Sequence, residues 1–358
     1  MNELEISLFG PGKGESCVIH LGQGDWIIVD SCRDQRSGST VPLDYLTALG
    51  VDLATQVKLV VATHAHDDHI AGIAAVFEAC EQAFFVCSAA LSREEFAALL
   101  EVDVEAVADV KRRNYDQYRR VFDMITARGL TTGVSRRRLA LEGRILLHRP
   151  GTAQAPEAVV RSLSPSDEAV TITQRKLLEY LPTPDSGIRP PRVDPNELAI
   201  ALWVQVGEQT ALLGADLLTG PSGCGWGAVL ASLTPDTHAS VYKVAHHGSS
   251  NADHPGVWTD LLQTKPIALL APYRAGVSPV PSDRDVARLC ALTPWVYATA
   301  NPSQPASPKA VRRAAASLGQ LAKNVRDPWG TVGHVRARMT PGSTWQVQTA
   351  SPALRLCS

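Results

Sequence analysis

The segment Thr63–Gly72 constrains the fold of this chain more than any other part of the sequence. It reads Thr-His-Ala-His-Asp-Asp-His-Ile-Ala-Gly and follows directly on the apolar run Val57–Ala62. Three imidazoles and two carboxylates therefore stand within six residues at the end of a predicted strand. Solvation of a surface loop does not account for so many side chains of metal-binding types in one short segment. The pattern therefore indicates a metal site rather than a solvated turn.

The spacing of these side chains predicts two groups of ligands. Because alternate side chains of a strand share a face, His64 and His66 can reach one ion together. Asp68 and His69 come just past the strand and can turn towards a second ion. Asp67 lies among these ligands, and we expect it to orient a ligand histidine through a hydrogen bond.

Length and composition limit the fold class and the cellular setting. With 358 residues, 45% of them hydrophobic, the chain suits one large α/β domain over residues 1–358. The formal net charge of −2 gives no global attraction to nucleic acid or membrane. No apolar run approaches the roughly 20 residues that cross a bilayer, and the start lacks the basic region of a signal peptide. We expect a cytoplasmic protein with no membrane association, whose seven cysteines are reduced.

Short apolar runs alternate with helical patterns, which predicts an α/β layer fold. The clearest predicted elements are strands at Leu4–Phe9, Cys17–Leu21, Trp26–Val29 and Phe84–Cys87, and helices at Ile70–Ala79 and Ser307–Leu321.

The order His-x-His-x-Asp-His, followed by a small residue and Gly, resembles the signature of the metallo-β-lactamase fold superfamily. The resemblance implies an acidic residue at the end of a later strand, which Thr210–Asp216 supplies. It also implies a histidine ending a further strand, and Ser240–Ser249 supplies two, His246 and His247. The fold expected from it is a four-layer αββα sandwich, with a helical basic insertion at residues 90–150.

The resemblance further implies a two-metal site, with zinc as the expected ion and manganese as the alternative. A hydroxide bridging the two ions would attack the substrate. Asp68, Asp216 and His246 are then the expected catalytic residues, with His246 as a proton donor or anion contact. The expected metal ligands are His64, His66, Asp68, His69, Asp216 and His247, with His247 preferred over His246.

One departure from the superfamily pattern concerns the first metal. Members usually carry another histidine between the first motif and the bridging Asp, and only His148 lies in that interval here. The position expected from the relatives falls nearer to Ser164–Ser166, which holds no histidine. We therefore expect that His148 is not a ligand and that the first metal is held by three protein side chains.

Residues 90–150 differ from the rest of the chain in charge. Ser92 and Glu95 form a capping box that opens a helical stretch running to Gly129. Between Lys111 and Arg149, eleven Lys or Arg face three acids, a net +8. This segment is interpreted either as a solvated helical face or as a surface that attracts a polyanionic substrate or an acidic protein partner. The densest cluster, Arg136, Arg137 and Arg138, is expected on a loop.

Within the superfamily, the chain is most similar to the hydrolase domain of the DNA-uptake protein ComEC and its soluble relatives. That resemblance implies a phosphodiesterase or nuclease, with Ser249, Ser250, His254, Arg136, Arg137 and Arg138 as candidate substrate contacts. Two alternatives stay open: C–O, C–N or C–S hydrolysis as in lactonases and thioesterases, and a partner-gated or binding module of a larger complex, a defence-related one included. The matching segments are Leu21–Asp25, Ile27–Asp30, Ser164–Ser166, Asn196, Lys243–Ser249 and Val296–Thr299.

Overall fold

A computed structural model describes residues 3–11, 14–91, 109–178, 194–273, 280–303, 331–340 and 342–357. The predicted capping box at Ser92 and Glu95 and the predicted helix at Ser307–Leu321 lie outside these residues. In the part that is described, no helix combines the length and the apolar character needed to span a membrane.

Sixteen strands and eight α-helices lie in the described ranges. The strands are β1 (Leu4–Gly10), β2 (Ser16–Leu21), β3 (Trp26–Val29), β4 (Val57–Val61), β5 (Phe84–Ser88), β6 (Arg137–Ala140), β7 (Ile145–Arg149), β8 (Ala158–Ser162), β9 (Leu202–Val206), β10 (Gln209–Leu213), β11 (Ala239–Lys243), β12 (Leu262–Leu270), β13 (Val296–Ala298), β14 (Gly333–Met339), β15 (Gln346–Ala350) and β16 (Leu354–Arg355). The helices are α1 (Val41–Ala48), α2 (Leu53–Gln56), α3 (Asp67–Ile70), α4 (Ile73–Ala79), α5 (Asp109–Thr132), α6 (Asp167–Leu178), α7 (Gly225–Ser232) and α8 (Asp283–Leu292).

The strands form two mixed sheets of eight strands each. The first has the order β15-β14-β1-β2-β3-β4-β5-β6, and the second has the order β16-β13-β12-β11-β10-β9-β8-β7. Strands β3 to β6 run parallel in the first sheet, and β10 to β13 run parallel in the second. Loops at the carboxyl ends of parallel strands collect at one edge of a sheet, and each sheet carries one half of the candidate site at such an edge.

Three clusters of buried apolar side chains hold the sheets and helices together in layers. Between the sheets, side chains such as Ile6, Leu59 and Val241 form a core to which both sheets contribute. The outer face of the first sheet packs on helices through residues such as Phe77 and Tyr118. The outer face of the second sheet does the same through Trp226 of α7 and Leu289 of α8. The result is the predicted α/β sandwich of two sheets flanked by helices.

The bounds of β1, β2 and β3 lie within one residue of the bounds predicted from the sequence. Apolar runs and turn residues are local signals, which is why these strands could be predicted. The predicted helix Ile70–Ala79 is wrong in one respect, since α3 and α4 are separate. Gly72 lies between them with φ +93°, and a Cβ at this residue would come 2.9 Å from Nε of Arg33. Glycine adopts this left-handed conformation without strain, and the helix breaks here.

One expectation about the insertion is wrong, and another holds only in part. Helix α5 continues through Gly129 to Thr132. Arg136 lies in the loop before β6, as expected, but Arg137 and Arg138 belong to β6, which pairs in parallel with β5. Strand β6 pairs with the backbone groups of β5 that β4 leaves unpaired, and it forms the edge of this sheet. Tyr118 and Val121 of α5 are fully buried and attach the helix to the first sheet.

The expectation that all seven cysteines are reduced is also wrong. Cys290 of α8 and Cys357 form a disulfide, with Cα atoms 5.6 Å apart, a separation that suits this bond. The other five are buried thiols. Among them, burial raises the pKa of Cys32, which lies near the first motif, and so disfavours its reactive thiolate.

Candidate metal centre

The site lies where segments of the two sheets meet. From the first sheet, β4 ends at Val61 and leads through Thr63 into His64, His66 and the short helix α3. From the second sheet, β10 leads to Asp216, and β11 leads to the 3-10 turn Ala245–Gly248, which carries His246 and His247. Strands β10 and β11 are parallel neighbours, so their carboxyl ends place Asp216 and the histidine turn side by side.

Asp30, which follows β3, holds the first motif in place. Its carboxylate accepts hydrogen bonds from the backbone N–H and the Oγ1 hydroxyl of Thr63, both at 2.8 Å. Its Oδ2 also lies 2.7 Å from Nδ1 of His69. This contact leaves Nε2 of His69 to face the site. The orienting role predicted for Asp67 therefore belongs to Asp30, while Asp67 is exposed.

Three groups of ligand-type atoms share His69, and two of them consist wholly of predicted metal ligands. One group is His64, His69 and Asp216, and the other is Asp68, His69 and His247; within each group the atoms lie within 4.8 Å of one another. Oδ2 of Asp216 lies at the centre, 3.8 Å from His64 Nε2, 3.5 Å from His69 Nε2 and 3.4 Å from His247 Nε2. This arrangement places Asp216 where it can bridge two ions.

His66 sits at the rim of the first group. Its Nδ1 lies 3.1 Å from Nε2 of His64, and the two rings meet edge to face. It is half-buried, whereas His64 is buried. The structure thus brings His66 beside His64, as expected for side chains two residues apart on an extended segment.

The geometry distinguishes the two adjacent histidines. His247 is buried, its Nδ1 donates to the carbonyl oxygen of Ala271 at 2.9 Å, and its Nε2 is 3.4 Å from Oδ2 of both Asp68 and Asp216. His246 is 23% exposed, with Nε2 3.9 Å from Asp216 Oδ2 and Nδ1 2.9 Å from Oδ1 of Asn251. Because Nδ1 of His247 is held by the carbonyl oxygen of Ala271, Nε2 is the ring nitrogen that faces the two carboxylates, and this is the geometry of a ligand.

Buried polar atoms without hydrogen-bond partners test whether a metal fits. Among the described side chains, Nε2 of His69 and Oδ1 of Asp216 are both buried and both lack a partner. Buried polar atoms are nearly always paired, so these two atoms call for a bound species. Imidazole nitrogen and carboxylate oxygen form the donor set of catalytic zinc sites, and the residues therefore fit a divalent ion.

The electrostatics agree with a cation at this position. Burial lowers the pKa of His64 well below its usual value, with a further contribution from His69, so His64 is neutral and able to bind a metal. For His69 and His247, burial also opposes the charged form, yet the carboxylates, chiefly Asp216, raise their pKa well above the usual value. Negative charge is therefore in excess around these imidazoles, which a bound cation would compensate.

His148, Ser164 and Ser166 have partners outside the ligand groups. His148 is on the edge strand β7, is exposed, and makes an ion pair with Glu157 through Nε2 at 2.7 Å. Ser164 and Ser166, near the position where relatives carry a histidine, donate to the carbonyl oxygens of Ala199 and Gly223. The ion pair and the serine hydrogen bonds account for these side chains without a metal.

The predicted substrate contacts fall into two sets. Ser249 and the exposed Ser250 directly follow the histidine turn, and His254, half-buried, accepts from the backbone N–H of Gly256. The three arginines lie instead on the insertion side. Arg136 donates to the carbonyl oxygen of Gln82 at 2.8 Å, Arg138 donates to that of Leu146, and the guanidinium groups lie over the rings of Phe84 (Arg136 and Arg138) and Phe122 (Arg137).

Three residues near the metal ligands were missed by sequence reasoning. Tyr273 stacks on the ring of His247, with centroids 5.0 Å apart and planes inclined by 16°. Lys243 and Glu15 form a buried ion pair next to Asp216. Lys243 ends an apolar strand three residues before His246, which is a usable signal, since an isolated lysine in such a strand needs a buried partner. Tyr273 and Glu15 carry no comparable local signal.

Comparison with known proteins agrees with this architecture. Residues 10–102 match the sequence profile of the Metallo-beta-lactamase superfamily. No curated protein matches the chain. With its two mixed sheets flanked by helices, the chain has the α/β metallo-β-lactamase fold.

Solved structures of similar proteins share little sequence with this chain. MEM-A1, a subclass B3 metallo-beta-lactamase from a soil metagenome library, is 12% identical over 71% of this chain and 79% of its own, with a TM-score of 0.34. The metallo-beta-lactamase fold protein YhfI from Bacillus subtilis is 12% identical over 85% and 98%, with a TM-score of 0.38. Zn²⁺-bound PqqB from Methylobacterium extorquens is 11% identical over 63% and 58%, with a TM-score of 0.30.

Proposed function

We propose that this protein is a two-metal hydrolase that cleaves phosphodiesters, nucleic acid among them. The observation that carries the proposal is the position of Asp216, whose Oδ2 lies within 3.8 Å of ring nitrogens of His64, His69 and His247. A carboxylate that lies between ring nitrogens of both ligand groups is placed to be shared by two ions.

The residues of the chain have separate tasks in this proposal. His64, His66 and Asp216 hold the first ion, and Asp68, His69 and His247 complete the second with Asp216. When bound, the two ions lower the pKa of water and stabilise negative charge on the reacting group.

Residues at the rim would act on the substrate itself. His246 is partly exposed beside Asp216, where an imidazole can deliver a proton to a leaving group. Ser249 and Ser250 follow directly and offer hydroxyl and backbone N–H groups to a phosphate oxygen. The preference for a phosphodiester rests on the similarity to the ComEC hydrolase domain, above all in the segment Lys243–Ser249.

A polyanionic substrate is the second part of the proposal. The guanidinium groups of Arg136, Arg137 and Arg138 lie over aromatic rings, in a segment of net +8. Such a positive region would steer a nucleic acid towards the site even without contacting the reacting phosphate. An acidic protein partner is the competing occupant of this surface.

The test is metal analysis of the purified protein followed by a substrate panel. The panel contains bis-p-nitrophenyl phosphate, single- and double-stranded DNA, RNA, a lactone and a thioester. We expect about two zinc or manganese ions per chain and activity on the phosphodiesters. Asp68→Asn should abolish that activity, and Asp67→Asn, which alters the adjacent exposed carboxylate, is the matched control and should retain it.

Each alternative has its own signature in this panel. Hydrolysis of the lactone or thioester alone would replace the phosphodiesterase assignment with a carbonyl hydrolase. Full metal loading without turnover of any substrate would favour the partner-gated or binding module. Absence of stoichiometric metal would overturn the two-metal site itself.

A further inference from the structure

Lys243 is a buried cation placed directly behind the candidate metal ligands. It is the last residue of β11 and is 3% exposed. Its Nζ forms an ion pair with Oε1 of Glu15, donates to the carbonyl oxygen of Ala215 at 2.9 Å, and lies 3.9 Å from Oδ1 of Asp216. A buried ammonium group is tolerated only where such partners satisfy it, so these contacts decide its position.

The carbonyl group that Lys243 binds belongs to a strained residue. Ala215 has φ +44°, in the left-handed region that residues with a Cβ rarely adopt. Its carbonyl oxygen also accepts from the backbone N–H of His246 at 2.9 Å. Two donors therefore hold the residue that directly precedes Asp216, and a strained conformation persists only when its surroundings determine it in this way.

Glu15 anchors Lys243 from the opposite sheet. It precedes β2, is buried, and its backbone N–H donates to the carbonyl oxygen of Asp68 at 2.8 Å. Its carboxylate lies 3.8 Å from Nδ1 of His69 and 3.5 Å from Nδ1 of His247, but those two nitrogens already bond to Asp30 and to the carbonyl oxygen of Ala271. The main partner of Glu15 is therefore Lys243.

Glu15, Asp30 and His69 also form a cluster of metal-ligand type. Two contacts argue against a third ion there. The ammonium group of Lys243 already supplies the positive charge next to Glu15, and the carboxylate of Asp30 is engaged by His69 and Thr63.

We propose that Lys243, anchored by Glu15, is a positioning residue that holds Ala215 in its left-handed conformation and thereby directs Asp216 towards both metals. This inference rests on the proposed two-metal site. It assigns to the lysine a role through the backbone, distinct from direct contact with substrate.

The test uses Zn²⁺ affinity, measured by competition with a chromophoric chelator, as its main readout. Removing the lysine in Lys243→Met should weaken Zn²⁺ binding about 10- to 100-fold, the range found when residues behind metal ligands are removed. Ala215→Gly should bind Zn²⁺ like the parent, because glycine adopts positive φ without strain. The double variant Lys243→Met/Ala215→Gly should regain most of the parent's affinity.

The matched control is Arg336→Met, which breaks the ion pair between the half-buried Arg336 on β14 and the buried Glu5 on β1. It should lower thermal stability while leaving Zn²⁺ affinity within about twofold of the parent, because the pair makes no contact with a metal ligand. If Lys243→Met fails to fold because Glu15 is left unpaired, the comparison is made with Lys243→Met/Glu15→Gln, which leaves no buried charge at this position, with and without Ala215→Gly.

Two results would overturn the inference. Unchanged Zn²⁺ affinity without the lysine would show that the ion pair only stabilises the fold. Weakened affinity that Ala215→Gly does not restore would show that the lysine acts through its charge and not through Ala215. A parent protein that binds no stoichiometric Zn²⁺ would instead refute the proposed two-metal site, so the two failures are distinguishable.

Discussion

Oδ2 of Asp30 lies 2.7 Å from Nδ1 of His69, and this contact joins the end of β3 to the helix that carries two candidate ligands. It fixes the ring so that Nε2 faces Asp216. A carboxylate behind a metal-binding histidine orients the ring and makes it a better donor.

Replacing Asp30 should therefore weaken metal binding without touching a ligand. We expect Asp30→Ala to lower Zn²⁺ affinity by about 10- to 100-fold, measured by chelator competition. Asp30→Asn, which keeps an oxygen that can accept from Nδ1–H, should weaken it less. Equal affinity in Asp30→Ala and the parent would mean that His69 does not need this carboxylate in order to bind the metal.

The second prediction compares the metal content of the variants His247→Ala and His148→Ala. His247→Ala should remove most of one metal equivalent, since its buried Nε2 faces both Asp68 and Asp216. His148→Ala should leave both equivalents in place, because it removes only an exposed ion pair with Glu157. Elemental analysis of the two variants decides this, and loss of metal in His148→Ala would show that β7 contributes to the site.

Asp216→Ala should abolish hydrolysis and lower the metal content of the protein, because it removes the one carboxylate placed between the two ligand groups. Activity is followed with bis-p-nitrophenyl phosphate after dialysis against zinc. Asp236→Ala, which changes an exposed carboxylate on the loop before β11, is the control and should behave like the parent. Full occupancy and full activity in Asp216→Ala would refute the ligand assignment.

The three arginines of the insertion test the polyanionic substrate. Arg136→Ala/Arg137→Ala/Arg138→Ala should bind single-stranded DNA more weakly, and the log–log salt slope should shrink by about 0.7 for each phosphate that is no longer neutralised. Hydrolysis of bis-p-nitrophenyl phosphate should persist, because these arginines contact residues outside the metal site.

A triple Arg→Lys variant controls for the loss of packing on Phe84 and Phe122, since it keeps the charge. It should recover part of the DNA affinity, although lysine lacks the bidentate geometry of arginine. If the alanine variant binds DNA like the parent, the segment is a solvated face or a protein-docking surface.

Stability should fall in mild acid because of His334 on β14. Burial lowers its pKa to about 4, and the ring stacks on Phe9 while Nε2 lies 2.9 Å from the Ser7 hydroxyl. The unfolded chain takes up this proton near its ordinary pKa of about 6.5, before the folded protein does. The contribution is therefore present above pH 6.5 and is lost as the pH falls towards 4.

The expected loss is on the order of 2–3 kcal/mol in the free energy of unfolding, measured by urea denaturation between about pH 7 and pH 4. His334→Gln keeps a hydrogen-bonding group for Ser7 but does not titrate in this range, so it should remove that part of the pH dependence. An unchanged profile in this variant would assign the acid sensitivity to other groups.

Part of the site could be predicted because its signals are local. One segment at the end of β4 carries His64, His66, Asp68 and His69. The directions of these side chains follow from strand alternation and one helical turn. Asp216 and the histidine pair each end an apolar strand, a pattern visible without knowing what those strands neighbour. Alternating strand and helix patterns indicated an α/β layer fold, whereas the two-sheet sandwich was what the resemblance to the metallo-β-lactamase superfamily implied.

The tertiary structure alone decided what depends on contacts between distant segments. Asp30 reaches His69 across 39 positions of the chain, and Glu15 meets Lys243 only because the two sheets pack face to face. The sequence already ranked His247 above His246, but the burial of His247 beside Ala271 and the partial exposure of His246 depend on the folded positive-φ turn. Spacing along a chain determines which side chains share a strand or helical face, whereas burial and the partners across a sheet interface arise only when the strands are assembled.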